Sequence, residues 1–156
     1  MISPELVRRY PVFWCLNDAQ QKALSMIADT VAYPKATAIF KEGEPATTLF
    51  LLQEGNVSLA MHTALGSEPG TPGKELFVGE INPGEMFGIP ATLADATYNS
   101  TAYATSVCRV IQVDAEELHK VMSMDCSMGY CMMQQMLRMA LERLRLTHIH
   151  LAAAQS

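Results

Sequence analysis

The side chains able to do chemistry are few in this chain of 156 residues, and their spacing argues against most chemistries. There are four histidines, His62, His119, His148 and His150. A β-barrel metal enzyme wants a histidine pair on a strand with a carboxylate close by. His148 and His150 are two apart on a helical segment and so point to different sides, and no metal site is expected. Cys15, Cys108, Cys126 and Cys131 form no Cys-x-x-Cys pair and no zinc-like framework; free thiols in a reducing compartment are expected. Cys126 and Cys131 could sense oxidation, but no basic residue flanks either to lower its pKa. Seven of the eleven methionines lie between Met122 and Met139. Thioethers can select Cu(I), but adaptable core filling is the expected role. Anion binding remains. Gly88-Ile89-Pro90-Ala91-Thr92-Leu93 reads as a strand end running into a short helix, with Pro90 at a first position where its missing N–H costs nothing. Free amides at such a start can hold an anion.

The elements that position these residues follow from composition and periodicity. Hydrophobic residues make up 49% and charged residues 17%, which excludes global disorder, and the length suits one domain over residues 1–156. Eleven Lys and Arg face 16 Asp and Glu, so no whole-chain basic footprint for nucleic acid exists. No apolar run is long enough to span a bilayer. The N-terminus has charge where a signal peptide would have its apolar core, so no secretion signal is read and a cytoplasmic location is expected. Asn17 to Gln20 fits a capping box and starts a helix over about 17–28. Asp114 repeats the device for C-terminal helices over about 115–152, with Asp125 a further cap. Between them, about 30–113, short strands alternate with Gly/Pro turns. Val57, Leu59 and Met61 alternate as inward positions, and Thr48 to Gln53 is a more buried run. Leu76–Ile81, Thr101–Val107 and Arg109–Val113 follow, and Gly66–Lys74 is a flexible hairpin tip. Strands framed by helices, without βαβ alternation, predict a small β-roll or jelly roll.

Several motifs then carry a resemblance. Ile39 to Glu44, Leu49 to Val57, Pro83 to Gly88 and Ala104 to Val110 are in order and spacing similar to the glycine turns and strands of the cyclic nucleotide-binding domain of Crp/Fnr-type regulators. The resemblance covers roughly residues 5–150 and implies that family's eight-stranded antiparallel β-roll or jelly roll, a double-stranded β-helix, with a phosphate-binding cassette after Gly88. The implied ligand pocket comprises Phe87, Gly88, Ile89, Pro90, Ala91, Tyr98, Asn99, Ser100 and Thr101. Two positions depart from the pattern. Where the family has a glutamate for the ribose hydroxyl, this chain has Ile89. Where it has an arginine for the cyclic phosphate, this chain has Tyr98, or Asn99 in a register one later. No arginine lies between Arg9 and Arg109, and from Lys35 to Arg109 four cations face eight anions, a net of −4. Losing a charged hydrogen bond costs about 1.5–3 kcal/mol, roughly ten- to a hundredfold in affinity. Tyr98 could also fill the space that the nucleotide would occupy.

The C-terminal helix carries a second pattern. Tyr130, Met133, Leu137, Ala140, Leu144, Thr147 and Leu151 step by three and four, a coiled-coil seam of about three heptads. Met128, Met132, Met136, Met139 and Leu146 form a second apolar stripe. One face can cover the roll while Met133, Leu137, Ala140, Leu144 and Leu151 meet a second copy; burial of both faces within one chain is the alternative. The resemblance implies dimerisation along this helix and a base-side role for Thr147. Together these readings predict a non-enzymatic regulatory or ligand-sensing module, homodimeric, with weakened or lost cAMP and cGMP binding, no cofactor and no metal. With the helix reaching Ser156, no direct DNA binding is expected, and no membrane partner. The alternatives are a working cyclic nucleotide-binding signalling protein acting on a protein partner in trans, and a cupin-like metal enzyme disfavoured by the missing ligand cluster.

Overall fold

The computed structural model describes residues 1–63 and 73–156; most of the expected Gly66–Lys74 hairpin tip lies outside the described residues. Eight strands form two antiparallel four-stranded sheets. The first contains β1 (Ala28–Tyr33), β3 (Thr48–Glu54), β6 (Met86–Phe87) and β8 (Cys108–Asp114), in the order β1-β8-β3-β6. The second contains β2 (Ala38–Phe40), β4 (Val57–Thr63), β5 (Lys74–Ile81) and β7 (Thr101–Ala104), in the order β2-β7-β4-β5. The expected roll is thus the observed one. Thr63 pairs with Lys74, so β4 and β5 form the predicted hairpin.

Alternation along the strands sorts the core into two. In β3, Leu49 and Leu51 join the core beneath the helices while Phe50 and Leu52 face the roll interior; in β8, Ile111 and Val113 oppose Cys108 and Val110 in the same way. A sheet covered on both faces explains why Leu49 to Leu52 reads as an unbroken apolar run. One expectation fails in β4. A bulge between Leu59 and Ala60 shifts the register against β5. The extra residue is Val78 of β5, left out between the Leu59–Gly79 and Ala60–Phe77 pairs; at this point of β4 Ala60 is buried and Met61 is exposed.

Helices close the first sheet. α1 (Pro4–Arg8), capped by the Ser3 hydroxyl, and a 3₁₀ turn (Pro11–Phe13) precede α2 (Asp18–Met26). Residues 1 to about 29 read as helical in the sequence, and these two short elements fall there. α2 has the predicted capping box between Asn17 and Gln20, but it ends before 28, where Ala28 already pairs with Val113. α3 (Ala115–Met124) and α4 (Cys126–Gln155) are capped by Asp114 and Asp125. The Gln20 amide donates to Asp125 Oδ2 at 3.0 Å and Ser127 Oγ at 3.2 Å, fastening α2 to the start of α4.

The expectation of four free thiols is corrected. Cys15 and Cys131 are disulfide-bonded, with Cα atoms 6.0 Å apart, while Cys108 and Cys126 are free. Their separation of 116 residues hides the pair from any short-spacing rule; packing of the N-terminal segment on α4 brings them together. At Gly55 a Cβ would stand 2.5 Å from the Val107 carbonyl, and φ is +97°, so that turn admits no side chain.

Candidate ligand site at the Gly88 turn

The site begins where β3 meets the loop before β6. Leu52 and the Asn82–Glu85 turn exchange backbone bonds, Gly84 N–H to Leu52 O at 2.7 Å and Leu52 N–H to Glu85 O at 3.0 Å. These set β6 against β3, with Phe87 opposite Phe50. Gly88 then turns the chain in the left-handed region, at φ +71°. A Cβ there would meet Phe50 and the Thr48 carbonyl at 3.0 Å. The expected short helix follows as a 3₁₀ turn, Ile89–Thr92, with proline in its first positions.

This turn offers few free amides. Pro90 has no N–H, and the Ala91 N–H is donated to Gly88 O at 3.0 Å. The Thr92 hydroxyl donates to Ile89 O, and the His119 ring on α3 lies 2.9 Å from Ala91 O, bracing the turn from the helix side. The expectation that amides from Gly88 to Ala91 could greet an anion is therefore reduced by local bonding.

Tyr98 lies inside the roll. Its backbone bonds to the turn after β2, Tyr98 N–H to Glu44 O and Gly43 N–H to Tyr98 O. This register turns Tyr98 inward, 4% exposed, and leaves Asn99 exposed. The Tyr98 ring stacks on Phe40 with centroids 3.9 Å apart, and Phe40, Phe50 and Phe87 continue the stack at 5.0–6.1 Å. Its hydroxyl donates to Thr48 O at 2.7 Å and accepts from Thr48 N–H at 3.0 Å. Burial pushes the Tyr98 phenol above its ordinary 10.0, partly opposed by the Thr48 bonds. Four aromatic rings thus occupy the interior beside Gly88. Two open cavities lie elsewhere. One, of about 350 Å³, is lined by Pro11, Val12, Gly84, Gln135, Arg138 and Met139. The other, of about 300 Å³, lies between α2 and the α3–α4 junction, and neither is lined by residues 86–101.

The remaining candidates scatter. Ile89 packs with the helix-side core, whereas Tyr98 belongs to the roll interior. The reversal at Gly88 separates them, so the two do not form one wall as expected. Ala91, Ser100 and Thr101 are buried, and Thr101 Oγ1 accepts the Glu42 N–H at 3.0 Å. Thr147 is exposed, and its hydroxyl donates to Arg143 O on its own helix.

One residue escaped the sequence reading. Arg143 donates from α4 to Met86 O, two residues before Gly88. Burial pulls its pKa down, and nearby Glu85 opposes that shift. Its signal in the sequence is an arginine between the two apolar stripes of α4.

On α4 itself, Met128, Met132 and Met136 are buried, while Tyr130, Leu137, Leu144 and Leu151 are 49–71% exposed. Met122, Met128, Met132 and Met136 fill the core as expected, but Met124 and Met133 of the same methionine-rich segment are exposed, as is Leu146 at the distal end of the stripe. Among the described residues no three His, Cys, Asp or Glu side chains are placed to hold a metal, and no helix is long and apolar enough to cross a membrane.

Comparison with known proteins agrees with this geometry. The family model "Cyclic nucleotide-binding domain" matches residues 30–125. A solved structure from Geobacter metallireducens GS-15, provisionally designated a cyclic nucleotide-binding protein, is 30% identical with a TM-score of 0.79, covering 92% of this chain and 99% of that one. A cyclic nucleotide-binding domain from Methylobacillus flagellatus KT shares the fold at 15% identity and a TM-score of 0.77, covering 96% and 80%. A CRP-like cAMP-activated global transcriptional regulator of Mycobacterium tuberculosis is 24% identical over 148 residues, 95% of this chain but 61% of that protein's length. With its roll, its glycine turns and its capped flanking helices all in that family's order, this chain belongs to the cyclic nucleotide-binding domain family.

Proposed function

We propose that the chain is a non-enzymatic regulatory module in which the nucleotide pocket is filled by the protein's own Tyr98, so that cAMP and cGMP bind weakly or not at all. The observation that carries this reading is the Tyr98–Phe40 stack at 3.9 Å, at the position where the family resemblance places a phosphate-binding arginine. Ile89, at the ribose position, is an apolar residue packed with the other core. A phosphate entering here would shed water and find no cation in the roll interior, since Lys35, Lys41, Lys74 and Arg109 are exposed; Arg143 is already bonded to Met86 O, and an unpaired buried charge is expensive.

Signalling in this reading runs through α4. Its face at Leu137, Leu144 and Leu151 is open in the single chain and follows the heptad steps that a second copy would match. The protein acts as a cytoplasmic homodimer, without binding DNA through the residues present, on a protein partner or an uncharged effector.

The test is a reconstruction. Ile89→Glu with Tyr98→Arg returns the two missing side chains, and measurable cAMP binding by calorimetry is expected from the double variant. A folded double variant that binds no nucleotide would show that the Gly88–Thr92 backbone itself is remodelled, and that the two side chains are not what closes the pocket.

A further inference from the structure

The Cys15–Cys131 bond joins the N-terminal segment to α4 across a separation of 116 residues. Cys15 follows the Pro11–Phe13 turn, whose Val12 and Phe13 pack with Met128, Met132 and Met136 of α4. An open surface cavity of about 350 Å³ is lined by Pro11, Val12, Gly84 and the α4 residues Gln135, Arg138 and Met139. The N-terminal segment is therefore held to α4 by a covalent link as well as by apolar packing. The Gln20 bonds to Asp125 and Ser127 lie at the far end of the same contact, at the start of α4. The Cα separation of 6.0 Å falls in the ordinary disulfide range. The two halves of the bond differ in access: Cys15 is an exposed residue, whereas Cys131 is 6% exposed.

We propose that Cys15 and Cys131 form a reversible thiol–disulfide couple that locks the N-terminal segment to α4, opened and closed by low-molecular-weight thiols and disulfides. Opening starts at Cys15. A thiolate attacks the Cys15 sulfur, forming a mixed disulfide there, and the Cys15–Cys131 bond breaks with Cys131 leaving as a thiolate that takes a proton. A second thiolate attacks the reagent's sulfur in that mixed disulfide and releases Cys15 as a thiolate, which is protonated in turn. In sum, one protein disulfide and two small thiols become two protein thiols and one small disulfide. Closure is the reverse, with the small disulfide as oxidant. This device is separate from the Gly88 turn and holds whether or not a nucleotide binds there.

Trp14 supplies a reporter. It is the single tryptophan of the chain, adjoins Cys15, is 65% exposed, and donates from Nε1 to Arg8 O within the same segment. The full chain is equilibrated in glutathione buffers of graded redox ratio, quenched with acid and alkylated, and its peptides are mapped. A Cys15–Cys131 crosslinked peptide is expected at oxidising ratios and its loss at reducing ones. Trp14 fluorescence should follow the same midpoint, and cleavage of residues 9–16 by protease should speed up by at least ~tenfold on reduction, as expected when a local closure is released. Cys15→Ser, which alters only the exposed partner, should show none of these redox dependences. The proposal is overturned if no crosslinked peptide forms under oxidising conditions. It is equally overturned if the bond resists thiol until the chain is unfolded, or if it opens with no change in Trp14 fluorescence and segment cleavage.

Discussion

Removing the Tyr98 ring should both destabilise the roll and open it. Tyr98→Phe keeps the stack on Phe40 but deprives Thr48 of a donor to its carbonyl and an acceptor for its N–H. Part-buried backbone groups left without partners cost about 1–3 kcal/mol, and for a chain of this size each kcal/mol lowers Tm by roughly 2–4 °C. Tyr98→Ala adds the loss of a ring that is 4% exposed, and aromatic truncation in a core costs about 3–5 kcal/mol. Most domains have about 5–15 kcal/mol in hand, so the Ala variant should remain folded at low temperature. Urea denaturation of the two variants gives the ordering. p-Cresol, which matches the deleted side chain, should raise the Tm of Tyr98→Ala and leave wild type unchanged. High pH adds a check. The folded protein keeps the Tyr98 phenol protonated above the 10.0 at which an unfolded tyrosine ionises. The unfolded chain therefore loses the proton first, and the Tyr98 contribution, complete below pH 10, is lost as pH climbs through the raised folded value. The difference in stability between wild type and Tyr98→Phe should narrow above that pH. An Ala variant within ~1 kcal/mol of wild type, unresponsive to p-cresol, would refute the claim that Tyr98 fills the interior.

Two further outcomes are expected. Leu144→Glu should shift the protein to monomer with no loss of fold, since Leu144 is exposed in the single chain and a charge in the seam is costly; sedimentation showing wild type already monomeric at roughly tens of micromolar removes the dimer. Asp125 is held below its usual 3.8, first by the Gln20 bond and then by the Met128 N–H, so its contribution is present above pH 3.8 and lost as pH falls through the lowered value. Asp125→Ala should flatten that acid limb of the stability curve, and an unchanged limb would show that the cap is not coupled to folding.

Legibility in the sequence followed the range of the interaction. The caps at Asn17, Asp114 and Asp125 and the turns at Gly55, Gly84 and Gly88 are local, and the structure has each of them. What depends on distant parts of the chain was hidden. The register shift beside Met61 depends on Val78, the unpaired residue of β5. The Cys15–Cys131 bond answers to the docking of α4. The site was half legible: the departures at Ile89 and at Tyr98 or Asn99 were expectations from the family resemblance, with Tyr98 as a candidate filler of the space. The Tyr98 register needed its bonds to Gly43 and Glu44, and the assignment of Ile89 to the other core needed the left-handed turn at Gly88.

Titration calorimetry of the unmodified chain with cAMP and cGMP tests the central claim most directly. A filled interior and a roll without its own buried cation predict dissociation constants weaker than about 100 µM for both. Saturable binding of one cAMP per chain at low-micromolar affinity would contradict the account, showing that Tyr98 leaves the stack readily and that the arginine can be dispensed with.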